Sequence, residues 1–294
     1  MTDQDQPGML WIVATPIGTL EDLGSRAVEV LGSVDVILAE DTRRTRKLLS
    51  HAGLSAGGRL RSLHEHNEED RVAWVLDQIE DGRNVALVSD AGTPALSDPG
   101  FLVVRAARNA GLEVRSVPGA SAFAAALAAS GQPPLPAALA GFLPAKPGPR
   151  RRQISKLADW PETLVVLLSP HRIARELHDL ADGLGGDRPA TLLAEISKRH
   201  ERAVVGTLEE LVRSSEATTP RGEYVLVVGP VVRSEAVATV TAETASAAYN
   251  RAIGEGLDRR TALREASRRL GMSRRDFYDK LLEAEKADSS EECR

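Results

Sequence analysis

The feature that most constrains this fold is an alternation in the first 120 residues. Residues 10–14, 34–39 and 84–89 are short, mostly apolar runs rich in β-branched side chains, and 113–117 reads as another strand, ending at Pro118-Gly119. Between them the apolar positions recur at helical spacing, as at Leu23, Ala27, Val30 and Leu31 within a helix predicted over 22–31. Strands separated by helices cannot pair as hairpins. They join through crossover helices into a mostly parallel sheet with helices on its faces. Thr42 is predicted to cap a helix reaching His51, and Asn67 with Asp70 to cap one reaching Glu80. Pro99 suits the first turn of a helix reaching Ala110.

Pro133, Pro134 and Pro136 interrupt the pattern after an Ala-rich helix over 121–130. A second unit follows, with strands predicted over 163–168, 191–196, 202–205 and 223–228 and helices over 173–184 and 208–212. Residues 202–207 are placed to pair back on the strand before them, which would make this sheet mixed. Residues 230–239 read as a linker. Beyond it, helices are predicted over 243–254, 259–270 and 273–282, the last two joined at Gly271 and the last capped by Ser273, as in a helix–turn–helix. The expected organisation is α/β over 9–118 and 119–230, plus a helical unit over 240–285.

Composition excludes several classes. The one cysteine, Cys293, rules out an intrachain disulfide framework and a Cys-based zinc site, and suits the cytoplasm. The N-terminus is polar and acidic, unlike a signal peptide, and no apolar run approaches the roughly 20 residues of a membrane span. The net charge of −5 does not advertise a nucleic-acid binder, but Arg and Lys are locally concentrated. Arg43, Arg44, Arg46 and Lys47 form one cluster. Lys146, Arg150, Arg151, Arg152 and Lys156 form a second, with no acid among them. Because it holds Pro147, Gly148 and Pro149, this second cluster is expected to be an exposed irregular loop.

The chemistry concentrates at strand ends. In an open parallel sheet, ligands bind beyond the carboxyl ends of the strands. Thr15-Pro16-Ile17-Gly18 follows the first strand, Ser89-Asp90-Ala91-Gly92-Thr93-Pro94 follows a later one, and Pro118-Gly119-Ala120-Ser121-Ala122 a third. Small residues let backbone groups approach a polar ligand closely. Ser121 allows a second reading as a helix cap. Three such turns can converge on one cleft.

These turns, with Ala39-Glu40-Asp41-Thr42-Arg43, His64-Glu65-His66-Asn67-Glu68, Gly141-Phe142-Leu143-Pro144 and residues 195–201, resemble the tetrapyrrole methylase superfamily. The likeness is to its RNA branch, the ribosomal RNA small-subunit 2′-O-ribose methyltransferases, and runs from about Met9 to Gly229. Thr19 and Ala120 depart from that pattern, which usually has Asn and Pro there. The resemblance implies a two-domain α/β fold with S-adenosyl-L-methionine in the interdomain cleft. The cofactor would lie against Thr15, Pro16, Ile17, Gly18, Asp90, Ala91, Gly92, Thr93, Ser121, Ala122 and the strand end at Leu168. It also implies a cytidine ribose near the decoding centre of 16S ribosomal RNA as substrate, in free RNA or in the 30S subunit, and a homodimer.

Methyl transfer to a ribose hydroxyl requires alignment and a place for the hydroxyl proton, and needs no metal. Glu40, Arg43 and Lys146 are the leading catalytic candidates, ahead of Asp41, Glu65 and Lys198. Arg44, Arg46, Arg150, Arg151, Arg152, Arg268 and Arg274 are expected to contact RNA phosphates. The Arg-rich tail would dock the RNA or the assembling subunit. A tetrapyrrole-specific methyltransferase and a DNA-binding regulator with a nucleotide-sensing α/β part are the competing readings.

Overall fold

A computed structural model describes residues 7–158, 160–216, 222–231, 240–272 and 274–291. The first sheet takes its strands from β1 (Met9–Val13), β2 (Val36–Ala39), β3 (Leu60–Ser62), β4 (Val85–Val88) and β5 (Glu113–Val117). Between them lie α1 (Ser25–Ser33), α2 (Thr42–His51), α3 (Glu68–Glu80) and α4 (Phe101–Asn109). The strand order is β3-β2-β4-β1-β5, and every pairing is parallel. Both faces are covered. Val75, Ile79, Val103 and Ala107 pack α3 and α4 on one side, and Ala27, Val30, Leu31 and Leu49 pack α1 and α2 on the other. Coverage on both faces explains why β2 and β4 are buried along their whole length.

The chain then crosses to a second sheet. Helix α5 (Ala122–Ala129) directly follows the turn after β5, yet Ala126 and Leu127 pack against Val165, Leu193, Val225 and Val227 of that sheet. Its elements are β6 (Ala137–Phe142), α6 (Pro147–Leu157), β7 (Thr163–Leu168), α7 (Ile173–Leu184), β8 (Pro189–Ala194), β9 (Arg202–Thr207), α8 (Leu208–Glu216) and β10 (Tyr224–Val228). The order is β6-β7-β10-β8-β9. Only β6 and β7 run parallel, and β8–β9 is the expected antiparallel pair, so the sheet is mixed. A helical unit of α9 (Ala242–Gly254), α10 (Arg259–Arg269) and α11 (Arg274–Glu291) packs around Ala245, Ala266, Met272 and Phe277. Gly271 takes the left-handed conformation expected after α10, at φ 64°. Ser273 and most of the expected linker lie outside the described residues.

Several local expectations are corrected. The basic 146–156 stretch is not an irregular loop but helix α6, with Lys146 as its N-cap. Pro147 and Pro149 sit in the first turn, where an α-helix has no use for their missing N–H groups. Helix α2 is capped by Asp41 rather than Thr42: the Asp41 carboxylate accepts from the Arg43 backbone N–H at 2.8 Å. The helix predicted over 22–31 begins later, at Ser25, after a 3₁₀ turn over Leu20–Asp22 and an extended Gly24. Helix α4 starts at Phe101, beyond Pro99. Asn67 precedes α3, but its side chain bonds the His64 N–H and the Ser62 carbonyl instead of capping the helix.

Candidate active site

The carboxyl ends of β1, β2, β4 and β5 open toward the ends of β6, β7 and β10, enclosing a cleft of about 470 Å³ between the two sheets. Eight of the expected cofactor residues line it: Ile17, Asp90, Ala91, Gly92, Thr93, Ser121, Ala122 and Leu168. Leu139, Leu167, Val225 and Tyr224 add an apolar wall from the second sheet. Ser121 is the N-cap of α5 by position but makes no side-chain capping bond.

Thr15, Pro16 and Gly18 face a second hollow of about 320 Å³, lined also by Thr45, Lys47 and Lys198. The two hollows share Ile17, Arg44, Asp90, Ala91 and Glu223 as a common wall. Thr15 is buried, and its hydroxyl donates to the Ser89 carbonyl at 3.1 Å. Thr15 and Gly92 exchange backbone hydrogen bonds at 2.8 and 3.0 Å, stapling the first turn to the Asp90 turn. Gly18 is needed for packing between sheets: a Cβ there would lie 2.8 Å from the Ile196 carbonyl oxygen and from the Ser197 carbonyl carbon. The first turn thus seats on the turn after β8, where Lys198 is paired with Glu195 at 3.0 Å and Glu223 at 3.3 Å.

The cleft wall is acidic. Asp90 accepts from the Asp41 N–H at 3.0 Å and pairs with Arg44 at 3.2 Å. Burial raises the Glu40 pKa above the ordinary carboxylate value, and the Asp90 charge pushes it further than Arg44 pulls it back. Asp98 also lines the cleft, and burial together with the charges of Glu40 and Asp90 lifts its pKa to about 6. Its loop is unusual: Ala95 and Ser97 both hold positive φ, at 66° and 69°. Buried Glu68 anchors the far end, its carboxylate accepting from the Gly100 and Leu102 N–H groups at 2.9 and 2.7 Å. Within the His64–Glu68 segment it is therefore Glu68 that is built in, while Glu65 is exposed.

Asp98 makes stability depend on pH. Its folded-state pKa lies above its ordinary 3.8, so the folded chain holds that proton more tightly and loses stability as pH rises between these values. Asp98→Asn is expected to melt a few degrees higher than wild type above about pH 6, with the gain fading by about pH 4. Thermal melts across that range check it.

The family model described as Tetrapyrrole (Corrin/Porphyrin) Methylases matches residues 9–212. The chain belongs to the tetrapyrrole methylase family. Within the family it is similar to a protein named Ribosomal RNA small subunit methyltransferase I in several bacteria. It is 47% identical to that of Xylella fastidiosa (strain Temecula1) over 76% of this chain and 81% of the relative. It is 38% identical to that of Synechocystis over 95% and 99%, and 44% identical to that of Escherichia coli O157:H7 over 75% and 77%. Among solved structures, a cobalt precorrin-4 methyltransferase shares the tetrapyrrole methylase fold with TM-score 0.55 at 20% identity, over 75% of this chain and 94% of that one. A diphthine synthase does so with TM-score 0.59 at 16% identity, over 76% and 90%.

Most of the other predicted residues lie outside the linings of the two hollows. Arg43 is exposed and bound to Asp41 at 3.0 Å, outside the cleft lining. Lys146 is exposed at the start of α6, a few residues beyond Phe142 of the cleft wall. Arg44 reaches both hollows, and Arg46 and Arg152 are exposed. Arg150 corrects the expected basic RNA face. Its side chain is 4% exposed and bound to Asp179 at 2.6 Å, so it has no surface to offer a phosphate. Arg151 is exposed but also tied to Asp179, at 2.9 Å. The side chains of Arg268 and Arg274 lie outside the described residues. Asp98 was not among the predicted site residues. Its signal was the second acid of a loop too rich in Pro, Gly and Ser to be a minimal turn.

Proposed function

We propose that this chain transfers the methyl group of S-adenosylmethionine to the 2′-hydroxyl of a cytidine ribose in small-subunit ribosomal RNA, near the decoding centre. The observation that carries the reading is the pair of hollows sharing one wall. One hollow suits the methyl donor and the other the substrate.

The residues of the larger cleft fit a cationic nucleoside. Leu139, Leu167, Leu168 and Val225 offer apolar surface to a base, and Glu40, Asp90 and Asp98 offer carboxylates to positive charge. Gly92 holds φ 83°, a backbone conformation that other side chains rarely adopt, so the loop can turn tightly along the cleft there. Bound there, S-adenosylmethionine supplies a methyl on a sulfonium, a good leaving group. What remains for the protein is alignment, exclusion of water, and a home for the hydroxyl proton. Glu40 sits at the end of β2 on the cleft wall with a raised pKa, which suits it to accept that proton. Arg44, on the shared wall, is placed to counter charge developing on the oxygen. Lys146, at the start of α6, would hold RNA at the mouth.

Among the described residues, exposed Arg46 and Arg152 are also placed to contact phosphates. Arg46→Ala and Arg152→Ala are each expected to weaken RNA binding uniformly across sequences and to reduce the salt slope by about 1. Filter binding at several salt concentrations measures this. The 2′-O assignment is tested by offering tritiated S-adenosylmethionine with 30S subunits, free 16S RNA, precorrin-type tetrapyrroles and duplex DNA in parallel. Label in an alkali-resistant dinucleotide of 16S RNA supports it. Label in the tetrapyrrole, or DNA binding without label, replaces it with one of the competing readings.

A further inference from the structure

Three carboxylates from three different segments meet on one wall of the larger cleft: Glu40 after β2, Asp90 after β4, and Asp98 from the loop before α4. The arrangement is built rather than incidental. Asp98 is carried on a loop with two non-glycine residues at positive φ, a conformation that persists only when its surroundings impose it. Those surroundings are visible. Glu68 clamps the loop end through the Gly100 and Leu102 N–H groups. On the opposite side β6 presses close: a Cβ on Gly141 would lie 3.1 Å from the Ser97 hydroxyl oxygen.

The charges facing this cluster do not neutralise it. From α2, Arg44 pairs with Asp90. From the segment before α3, Glu65 adds a further negative charge near Glu40. Across the cleft, Arg172 is committed to Glu176 at 2.9 Å, and Glu223 to Lys198. The neutral Ser89 hydroxyl, which donates toward the Ala91 and Gly92 carbonyls, also lies beside Asp98 and favours its ionised form, but brings no positive charge. The wall therefore carries more negative than positive charge, and the neighbouring negative charges of Glu40 and Asp90 favour the protonated form of Asp98 until a cation joins them.

We propose that this wall trades positive charge for a proton: the Glu40–Asp90–Asp98 cluster balances the cationic methyl donor before transfer, and Asp98 holds the proton that the cluster gains afterwards. The proposal rests on the reading under Proposed function and adds Asp98 to it. The substrate oxygen forms a bond to the methyl and loses its proton, the S–C bonding pair stays on sulfur, and the proton passes through Glu40 to the cluster. A carboxylate beside a cation becomes a carboxylic acid beside a neutral thioether, so the net charge in the cleft is unchanged. The raised pKa of Asp98 is what such a proton store requires.

Proton-linked calorimetry on the intact chain tests this without turnover. S-adenosylmethionine and its demethylated product, S-adenosylhomocysteine, are titrated near pH 6 in MES and in imidazole, whose ionisation enthalpies differ. The amino groups of both ligands stay protonated there. The donor is expected to release about half a proton more on binding than the product, because its charge drives Asp98 to ionise. Asp98→Asn is expected to bind both ligands and abolish the difference. Equal proton counts for the two ligands in the wild type, or a difference that survives Asp98→Asn, overturns the proposal. The wild-type comparison decides the matter even if the variant is unstable. If neither ligand binds, the reading under Proposed function falls first, and this inference with it.

Discussion

Replacing Arg150 with Ala is expected to destabilise the protein by about 3–5 kcal/mol, the range for breaking a buried ion pair by removing one partner. Arg150 binds Asp179 through Nε and Nη2, both at 2.6 Å, and its Nη1 donates to the Ala145 carbonyl at 2.9 Å. Burial alone would raise the Asp179 pKa, but bonds from Arg151 and Arg150 outweigh it and hold the carboxyl below its ordinary 3.8. That depressed value means the pair stabilises the fold above the unfolded pKa and loses its effect as pH falls through the folded one. The variant's deficit should therefore be full at neutral pH and shrink in acid. Exposed Arg152→Ala should stay within about 0.5 kcal/mol of wild type. Urea unfolding of both variants at two pH values measures the contrast. Comparable stability for the two, with RNA binding lost only in Arg150→Ala, would contradict the buried role.

The second large effect is on the ligand. Asp90→Ala is expected to weaken S-adenosylmethionine binding by about 10–100-fold, since a charge-assisted hydrogen bond contributes about 1.5–3 kcal/mol and each 1.4 kcal/mol is tenfold. Three consequences combine. The Asp41 N–H loses its acceptor, Arg44 loses its partner, and the wall loses one of its negative charges. Glu40 also changes, because Asp90 is one of the groups that raise its pKa while Arg44 lowers it. Without Asp90, Glu40 should become a weaker base. Calorimetric titration reads the affinity, and a pH–rate profile on 30S subunits reads the shift. Unchanged affinity would remove Asp90 from the binding wall.

The strand-end turns were legible because their chemistry is local. Thr15–Gly18, Ser89–Pro94 and Pro118–Ala122 follow strands and are rich in small residues, which permits close backbone approach to a ligand. A parallel sheet then brings such ends to one edge without any tertiary detail. What was not legible depends on partners distant in sequence. Arg150 and exposed Arg152 look alike in the chain, and only the packing of α6 against Asp179 of α7 separates them. Strand β6 hid behind Pro133, Pro134 and Pro136, because its pairing with β7 is non-local. Glu68 and Glu65 look equivalent until α4 arrives to be capped. Asp98 owes its place to left-handed backbone at Ala95 and Ser97, which those residue types do not announce. Gly18 was expected to admit a ligand, and the turn after β8 takes that space instead.

The cleft between the two sheets is the proposed seat of the methyl donor. Ala91 is exposed and lies on the wall shared by both hollows, so a large side chain there fills the site without entering a core. The most direct measurement is calorimetric titration of S-adenosylmethionine into wild type and Ala91→Trp, with melting temperatures recorded alongside. One site per chain is expected in the wild type, and affinity at least about tenfold weaker in the variant with its melting temperature unchanged. Equal affinity in the two proteins would place the ligand elsewhere.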